Sequence, residues 1–118
     1  MYSIKVEKYF SSAHNLRGYK GKCEELHGHN WKVEVSVAAA KPGKIGMVMD
    51  FNDLKAKLDN VLDGLDHKYL NGIPYFKKLN PTSENIARYI YDRMRAQGVR
   101  TNLVTVWESH NTCATYCR

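Results

Sequence analysis

His27 and His29 are separated by a single residue, Gly28, and side chains two apart project to the same side of an extended backbone, so their imidazoles can converge. Both share parity with Trp31, Val33, Val35 and Val37, so the strand face that is apolar further along carries imidazole at its start. His14 lies on the parity of Ile4, Val6 and Phe10 if the first strand keeps its register. All three rings then face the buried side. Histidines on a core-facing surface are costly to charge, whereas neutral imidazoles are ordinary nitrogen ligands of zinc. Three such ligands with a fourth position open is the arrangement of a catalytic zinc. Taken alone, the His-Gly-His spacing also fits a surface or hydrogen-bonded pair.

Cys23 precedes His27 by four residues, in the Gly- and Lys-bearing stretch Gly18-Tyr-Lys-Gly-Lys-Cys23. A free cysteine is commonly a small buried hydrophobe. Here Lys20, Lys22 and a nearby zinc would favour the thiolate, which could serve as base, nucleophile or fourth ligand. As a fourth ligand it would close the site and imply a structural metal.

The elements that must position these residues follow from periodicity. Residues 2–12 predict a strand with Tyr2, Ile4, Val6 and Phe10 on one parity and Lys8 as the exception; a second runs over 29–40. A polar loop, 15–26, joins them. Phe51, Leu54, Leu58, Val61, Leu62 and Leu65 predict a helix over 51–65 capped by Asp50. Ile86, Ile90 and Met94 predict another over 83–97, started by Pro81-Thr82-Ser83-Glu84 and stopped at Gly98. Residues 103–108 and 112–117 read as a hairpin about Ser109-His110-Asn111. The order ββααββ argues for an α+β fold, a four-stranded antiparallel sheet with two helices on one face, in one domain spanning 1–118. Its two open edges invite pairing between subunits.

The 118 residues carry 18 Lys and Arg against 12 Asp and Glu, a net charge of +6, which attracts phosphates of some kind. The basic residues are scattered rather than grouped, so no nucleic-acid partner is specified, and no apolar run suggests a membrane. Three cysteines and the absence of a signal-peptide pattern predict a soluble, cytoplasmic protein. Cys113 and Cys117 stand about 13 Å apart on one strand, too far to bond each other, and are expected to be packed.

Phe10-Ser-Ser-Ala-His14, Cys23-Glu-Glu-Leu-His27-Gly-His29, Asp66-His67, Pro81-Thr-Ser-Glu-Asn85 and Trp107-Glu108 together resemble the 6-pyruvoyltetrahydropterin synthase superfamily, nearly end to end. The three residues between Cys23 and His27 are similar to the bacterial-type 6-carboxy-5,6,7,8-tetrahydropterin synthases of the queuosine (7-deazaguanine) pathway, the pyruvoyl-forming enzymes having a longer gap. The resemblance implies the tunnelling fold, in which three subunits join their sheets into a barrel and two trimers stack as a homohexamer, with active sites between subunits. It implies zinc on His14, His27 and His29, Cys23 as proton-abstracting base, Asp66 with His67 as proton relay, and Glu108 as pterin anchor.

Each implied role has its own physical case. Glu108 shares parity with Val104 and Val106, and a carboxylate can accept two hydrogen bonds from the ring N–H and exocyclic amine of a pterin. An Asp66 that orients the His67 imidazole would make it a general acid and base near working pH. Thr82, Ser83 and Glu84 serve first as helix-start residues, and the resemblance adds that this turn lies along the pterin pocket. The implied substrate is 7,8-dihydroneopterin triphosphate, for whose phosphates Arg17, Lys20, Lys22 and Lys68 are candidates. Two rivals stand beside this reading. One is the pyruvoyl-forming elimination of triphosphate; the other, of a different class, is a zinc-stabilised basic RNA-binding module with Cys23 as fourth ligand.

Overall fold

The computed structural model describes residues Met1–Arg118. Strands β1 (Tyr2–His14) and β2 (His27–Ala39), helices α1 (Phe51–Leu62) and α2 (Ser83–Ala96), and strands β3 (Thr101–Ser109) and β4 (Thr112–Cys117) follow one another in the predicted order. The strands form one antiparallel sheet in the spatial order β1-β2-β3-β4.

Alternation decides which face is covered. The ladder pairs Val6 with Val35, Phe10 with Trp31, Val33 with Val106 and Val35 with Val104, and all of these residues are buried. They meet Leu54 and Leu58 of α1 and Ile86, Ile90 and Met94 of α2 in one core. Helix α1 lies over β1, and α2 over β3 and β4. The parity exception, Lys8, turns its ammonium to Asp59 of α1, with Nζ 3.2 Å from Oδ1. The other face of the sheet carries no helix. There Lys5 pairs with Glu34 at 3.7 Å and the Lys32 ammonium sits 4.9 Å from the centre of the Trp107 ring.

Caps fix where the helices begin. Asp50 accepts a hydrogen bond from the Asn52 N–H at 2.7 Å, and Thr82 accepts one from the Asn85 N–H at 3.1 Å. Helix α1 stops at Leu62 rather than Leu65 because its last turn tightens, Gly64 N–H reaching Val61 O and Leu65 N–H reaching Leu62 O. Leu65 nonetheless stays fully buried, which is why the periodicity includes it. Gly98, with φ of 83°, takes the left-handed conformation that ends α2.

Both long strands extend beyond their apolar runs, β1 to His14 and β2 back to His27, because those two histidines are themselves a ladder pair. The β1 edge is partly covered by the chain after α1. Ala13 N–H donates to Lys68 O at 3.1 Å, His67 N–H donates to Ser11 O at 2.6 Å, and the Ser12 hydroxyl bonds the Leu65 carbonyl. On β4, Cys113 and Cys117 are exposed and free, contrary to the expectation of packing, because they alternate with Ala114 and Tyr116 and point away from the helices. Leu58→Ala is expected to cost about 2–5 kcal/mol in urea unfolding, as for other fully buried leucines. A loss under about 1 kcal/mol would contradict this account of the core.

Candidate metal centre

The imidazoles of His14, His27 and His29 meet at one end of the helix-covered face. Their ring centres lie 4.5, 4.8 and 5.2 Å apart. Beneath them the buried indole of Trp31 touches His14 and His29 edge-on, at 4.9 and 5.0 Å, and stacks on Phe10. The parity rule therefore places all three histidines as predicted, and the aromatic pair forms a rigid floor that holds the rings upright.

Backbone carbonyls fix the orientation of two rings. His14 Nδ1 lies 2.7 Å from Pro81 O, and His27 Nδ1 lies 2.7 Å from Glu25 O. A carbonyl can only accept, so each ring carries its proton on Nδ1, and the neutral ring presents a lone pair at Nε2. Pro81 comes immediately before the Thr82 cap of α2, so the start of that helix orients His14. Burial, the largest influence, holds His14 and His29 below the ordinary histidine range, against the opposing pull of Pro81 O on His14 and of Glu108 on both. Neutral rings are what a metal requires.

Glu108 completes the cluster. Its Oε1 lies 2.9 Å from His29 Nε2 and 3.6 Å from His14 Nε2. The His14 contact is too long for a hydrogen bond, which leaves that nitrogen without a partner, and the His29 contact has the distance of an ion pair without the alignment of a hydrogen bond. Four donor atoms, one each from His14, His27, His29 and Glu108, fall within 4.8 Å of one another. Tetrahedral zinc with bonds of about 2.0–2.2 Å sets its donors about 3.3–3.5 Å apart. The unpartnered His14 lone pair facing a carboxylate, with all four donor atoms within 4.8 Å of one another, is a set that a metal ion can draw together. Glu108 Oε2 is 3.5 Å from the hydroxyl of buried Ser83. Thr82 acts as the helix cap, and Glu84 is exposed in the first turn.

Cys23 is half-buried in a short 3-10 turn, Lys22–Glu24, and its sulfur is outside the four-donor group. The loop that carries it is pinned by two asparagines absent from the sequence-based site list. Asn71 accepts from Asn15 N–H at 3.0 Å and donates to Asn15 O at 2.8 Å. Asn80 does the same to Arg17, at 3.0 and 2.9 Å. Between those anchors Leu16 N–H donates to Cys23 O at 2.7 Å. Each amide thus imitates a strand neighbour, with donor and acceptor side by side. Arg17, a phosphate candidate by charge, instead donates through Nη2 to Asn71 O and Phe76 O, at 3.3 and 2.8 Å, which makes it part of this clamp.

Asp66 and His67 do meet, with Oδ2 and Nδ1 3.0 Å apart. Asp66 accepts the Ser11 N–H at 2.9 Å, and this bond, followed by those from His67, holds its carboxyl below the usual range. His67 is a non-glycine residue at φ of 54° and is largely exposed. That backbone is uncommon, and it turns the ring toward a shallow groove of about 520 Å³. The groove runs along the β1 edge and is lined also by Ser11, Ser12, Ala13, His29 and Asn30, so it borders one of the three imidazoles. The pair lies along the edge of β1 and outside the group of metal-competent donors.

The model of the family described as "6-pyruvoyl tetrahydropterin synthase" matches residues 3–118. The chain belongs to that family. It is 39% identical to the 6-carboxy-5,6,7,8-tetrahydropterin synthase of Synechocystis, over 98% of this chain and 93% of that protein. It is 32% identical to the protein of the same name from Haemophilus influenzae, over 98% and 99%. The human 6-pyruvoyl tetrahydrobiopterin synthase is 38% identical, over 92% and 79%. Among solved structures, the Caenorhabditis elegans 6-pyruvoyl tetrahydropterin synthase superposes with a TM-score of 0.90 at 30% identity, covering 99% of this chain and 95% of that one. The sheet and helices described above are thus the architecture of a family of pterin-acting enzymes, and relatives of both names span it.

Two outcomes follow from this geometry. Because burial lowers His14 and His29, the unfolded chain binds protons that the folded one resists. The metal-free protein should therefore keep its full stability above about pH 6.5 and lose it as the pH falls below that value, a loss absent if the rings are exposed in solution. Asn71→Ala should cost about 1–3 kcal/mol in urea unfolding by stranding the Asn15 backbone, and unchanged stability would remove the clamp.

Proposed function

We propose that the chain is a 6-carboxy-5,6,7,8-tetrahydropterin synthase. With water as co-substrate, it converts 7,8-dihydroneopterin triphosphate to 6-carboxytetrahydropterin with release of acetaldehyde and triphosphate, a step of queuosine (7-deazaguanine) biosynthesis. The observation that carries a zinc-dependent reading is the pair of orphaned Nε2 atoms on His14 and His29, turned with His27 and Glu108 toward one point. Support for the carboxy-forming reaction comes from the short Cys23–His27 loop and from the near-complete match to relatives of that name. The pyruvoyl-forming alternative is kept by the human relative, at similar identity.

When bound, zinc would supply Lewis-acid polarisation to the substrate's side-chain hydroxyls, easing loss of their protons near neutral pH. The residues divide the remaining work. Cys23, outside the donor group, would act as a thiolate base on the side-chain carbon next to the pterin ring. His67, oriented by Asp66, takes a hydroxyl proton as the carbon–carbon bond breaks in the retro-aldol sense. Glu108 accepts two hydrogen bonds from the pterin, and Ser83 beside it borders the same pocket. Lys20, Lys22 and Lys68 remain candidates for the triphosphate. The RNA-binding alternative requires Cys23 as a fourth ligand, and Cys23 is not among the four grouped donors.

Because Asp66 and His67 lie at the edge of β1 and outside the donor group, in this reading the pair serves the metal of a neighbouring subunit. A trimer or hexamer built by edge pairing brings them together. Incubating the purified protein with 7,8-dihydroneopterin triphosphate should yield acetaldehyde and a 6-carboxy product; a pyruvoyl product without acetaldehyde would defeat the assignment. Unfolding and refolding Cys23→Ala together with His67→Ala should restore activity that neither has alone. A mixture as inactive as its parts would place both residues in one chain's site.

A further inference from the structure

The groove that His67 faces has a chemistry of its own. Its volume of about 520 Å³ lies within the roughly 300–1,000 Å³ of small-ligand sites. None of its lining residues is Asp or Glu, and Lys68 is its one ammonium. An ammonium with no carboxylate beside it favours an anion. Lys5, Lys8 and Lys32 each pair with a carboxylate, whereas Lys68 pairs with none. Its backbone is nonetheless fixed, since Lys68 O accepts the Ala13 N–H at 3.1 Å.

The hydrogen bonds of the groove sort the remaining groups. Tyr69 donates its hydroxyl proton to Asn15 Oδ1 at 2.6 Å, and the Ser12 hydroxyl is taken up by the Leu65 carbonyl. The Ser11 hydroxyl donates to Asn30 Oδ1 at 2.6 Å, which leaves the NH₂ of that amide as its free end. The donors left for a ligand beside His67 are therefore the Lys68 ammonium and the Asn30 NH₂. The connectivity of the substrate points the same way. In 7,8-dihydroneopterin triphosphate the phosphates hang from the carbon next to the last hydroxyl-bearing one. A ligand whose hydroxyl meets His67 must send its tail past the residues beside His67.

We propose that this groove is a polyphosphate subsite, with Lys68 as the residue that recognises the phosphate chain and the Asn30 NH₂ as a second donor. The chain is carried by the substrate or is free in solution. Lys20 and Lys22, exposed on the loop that bears Cys23, add to the general attraction without setting the position of the tail. The inference rests on the pterin reading above only for the molecule that carries the phosphates, and two titrations keep the two failures apart.

Neopterin and neopterin triphosphate, the fully oxidised and fluorescent forms, report binding to the zinc-loaded protein without turnover. Lys68→Met, checked for native circular dichroism, should weaken the triphosphate about tenfold or more, the loss of one charge-assisted contact, and leave neopterin unchanged. Lys68→Arg should keep most of the affinity, and Lys20→Met and Lys22→Met should cost less than Lys68→Met. Equal effects of Lys68→Met on both ligands, no effect on either, or a larger loss at Lys20→Met or Lys22→Met would overturn the assignment. Where neither pterin binds the wild type, the pterin reading fails and inorganic tripolyphosphate decides the subsite by calorimetry, with zinc content checked before and after. Binding that Lys68→Met weakens about tenfold keeps the subsite. Tripolyphosphate that fails to bind, or binds wild type and Lys68→Met alike, would overturn it.

Discussion

The hydrogen bond from His14 Nδ1 to Pro81 O, 2.7 Å long and wholly buried, joins the end of β1 to the start of α2 and fixes which nitrogen of the ring is free. Most of the site depends on it. With the proton held at Nδ1, Nε2 must present a lone pair, and it does so toward His27, His29 and Glu108. The same logic repeats at His27 through Glu25 O. Carbonyl partners on the far side of metal-binding imidazoles are the usual way a protein sets ring orientation and raises ligand basicity. The price is a cluster of buried nitrogens that the folded chain alone leaves without partners.

The sheet supplies the rigid frame for this arrangement. Ladder pairing of His14 with His27 brings residues thirteen positions apart into register, and His29 follows on the same face two residues later. Trp31 and Phe10 continue that face into the core, so the floor of the site is also an apolar contact of β1 with β2. Stability and site geometry are therefore carried by the same residues. Asp66 and His67 are held by the backbone of Ser11 at the edge of β1, so the strand that carries His14 also positions this pair. A shared site between subunits is the arrangement in which both sets can act together.

Much of this was legible in the sequence because a strand writes its faces at period two. Parity alone placed His14, His27, His29 and Glu108 on the covered face, and apolar spacing gave both helices and their caps. What parity could not show was where Glu108 would turn, since that depends on a bulge in the β3–β4 pairing. Nor could it show Asn71 and Asn80, whose bonds to Asn15 and Arg17 join residues 56 and 63 apart and leave no periodic trace. Arg17 looked like a free charge for the same reason, and Lys8 like an error of pattern, until Asp59 was found opposite it. The early end of α1 was hidden because Leu65 keeps its core position after the helix has stopped.

These features separate a metal site that performs chemistry from one that only holds the fold, and the distinction comes down to Cys23. Its sulfur stands outside the donor group, while its carbonyl accepts the Leu16 N–H. The most direct measurement is the zinc content of Cys23→Ala together with its turnover of 7,8-dihydroneopterin triphosphate. The account predicts one zinc per chain, as in wild type, with product formation abolished. Loss of zinc and of folded structure with the cysteine would contradict it and return the metal to a structural role.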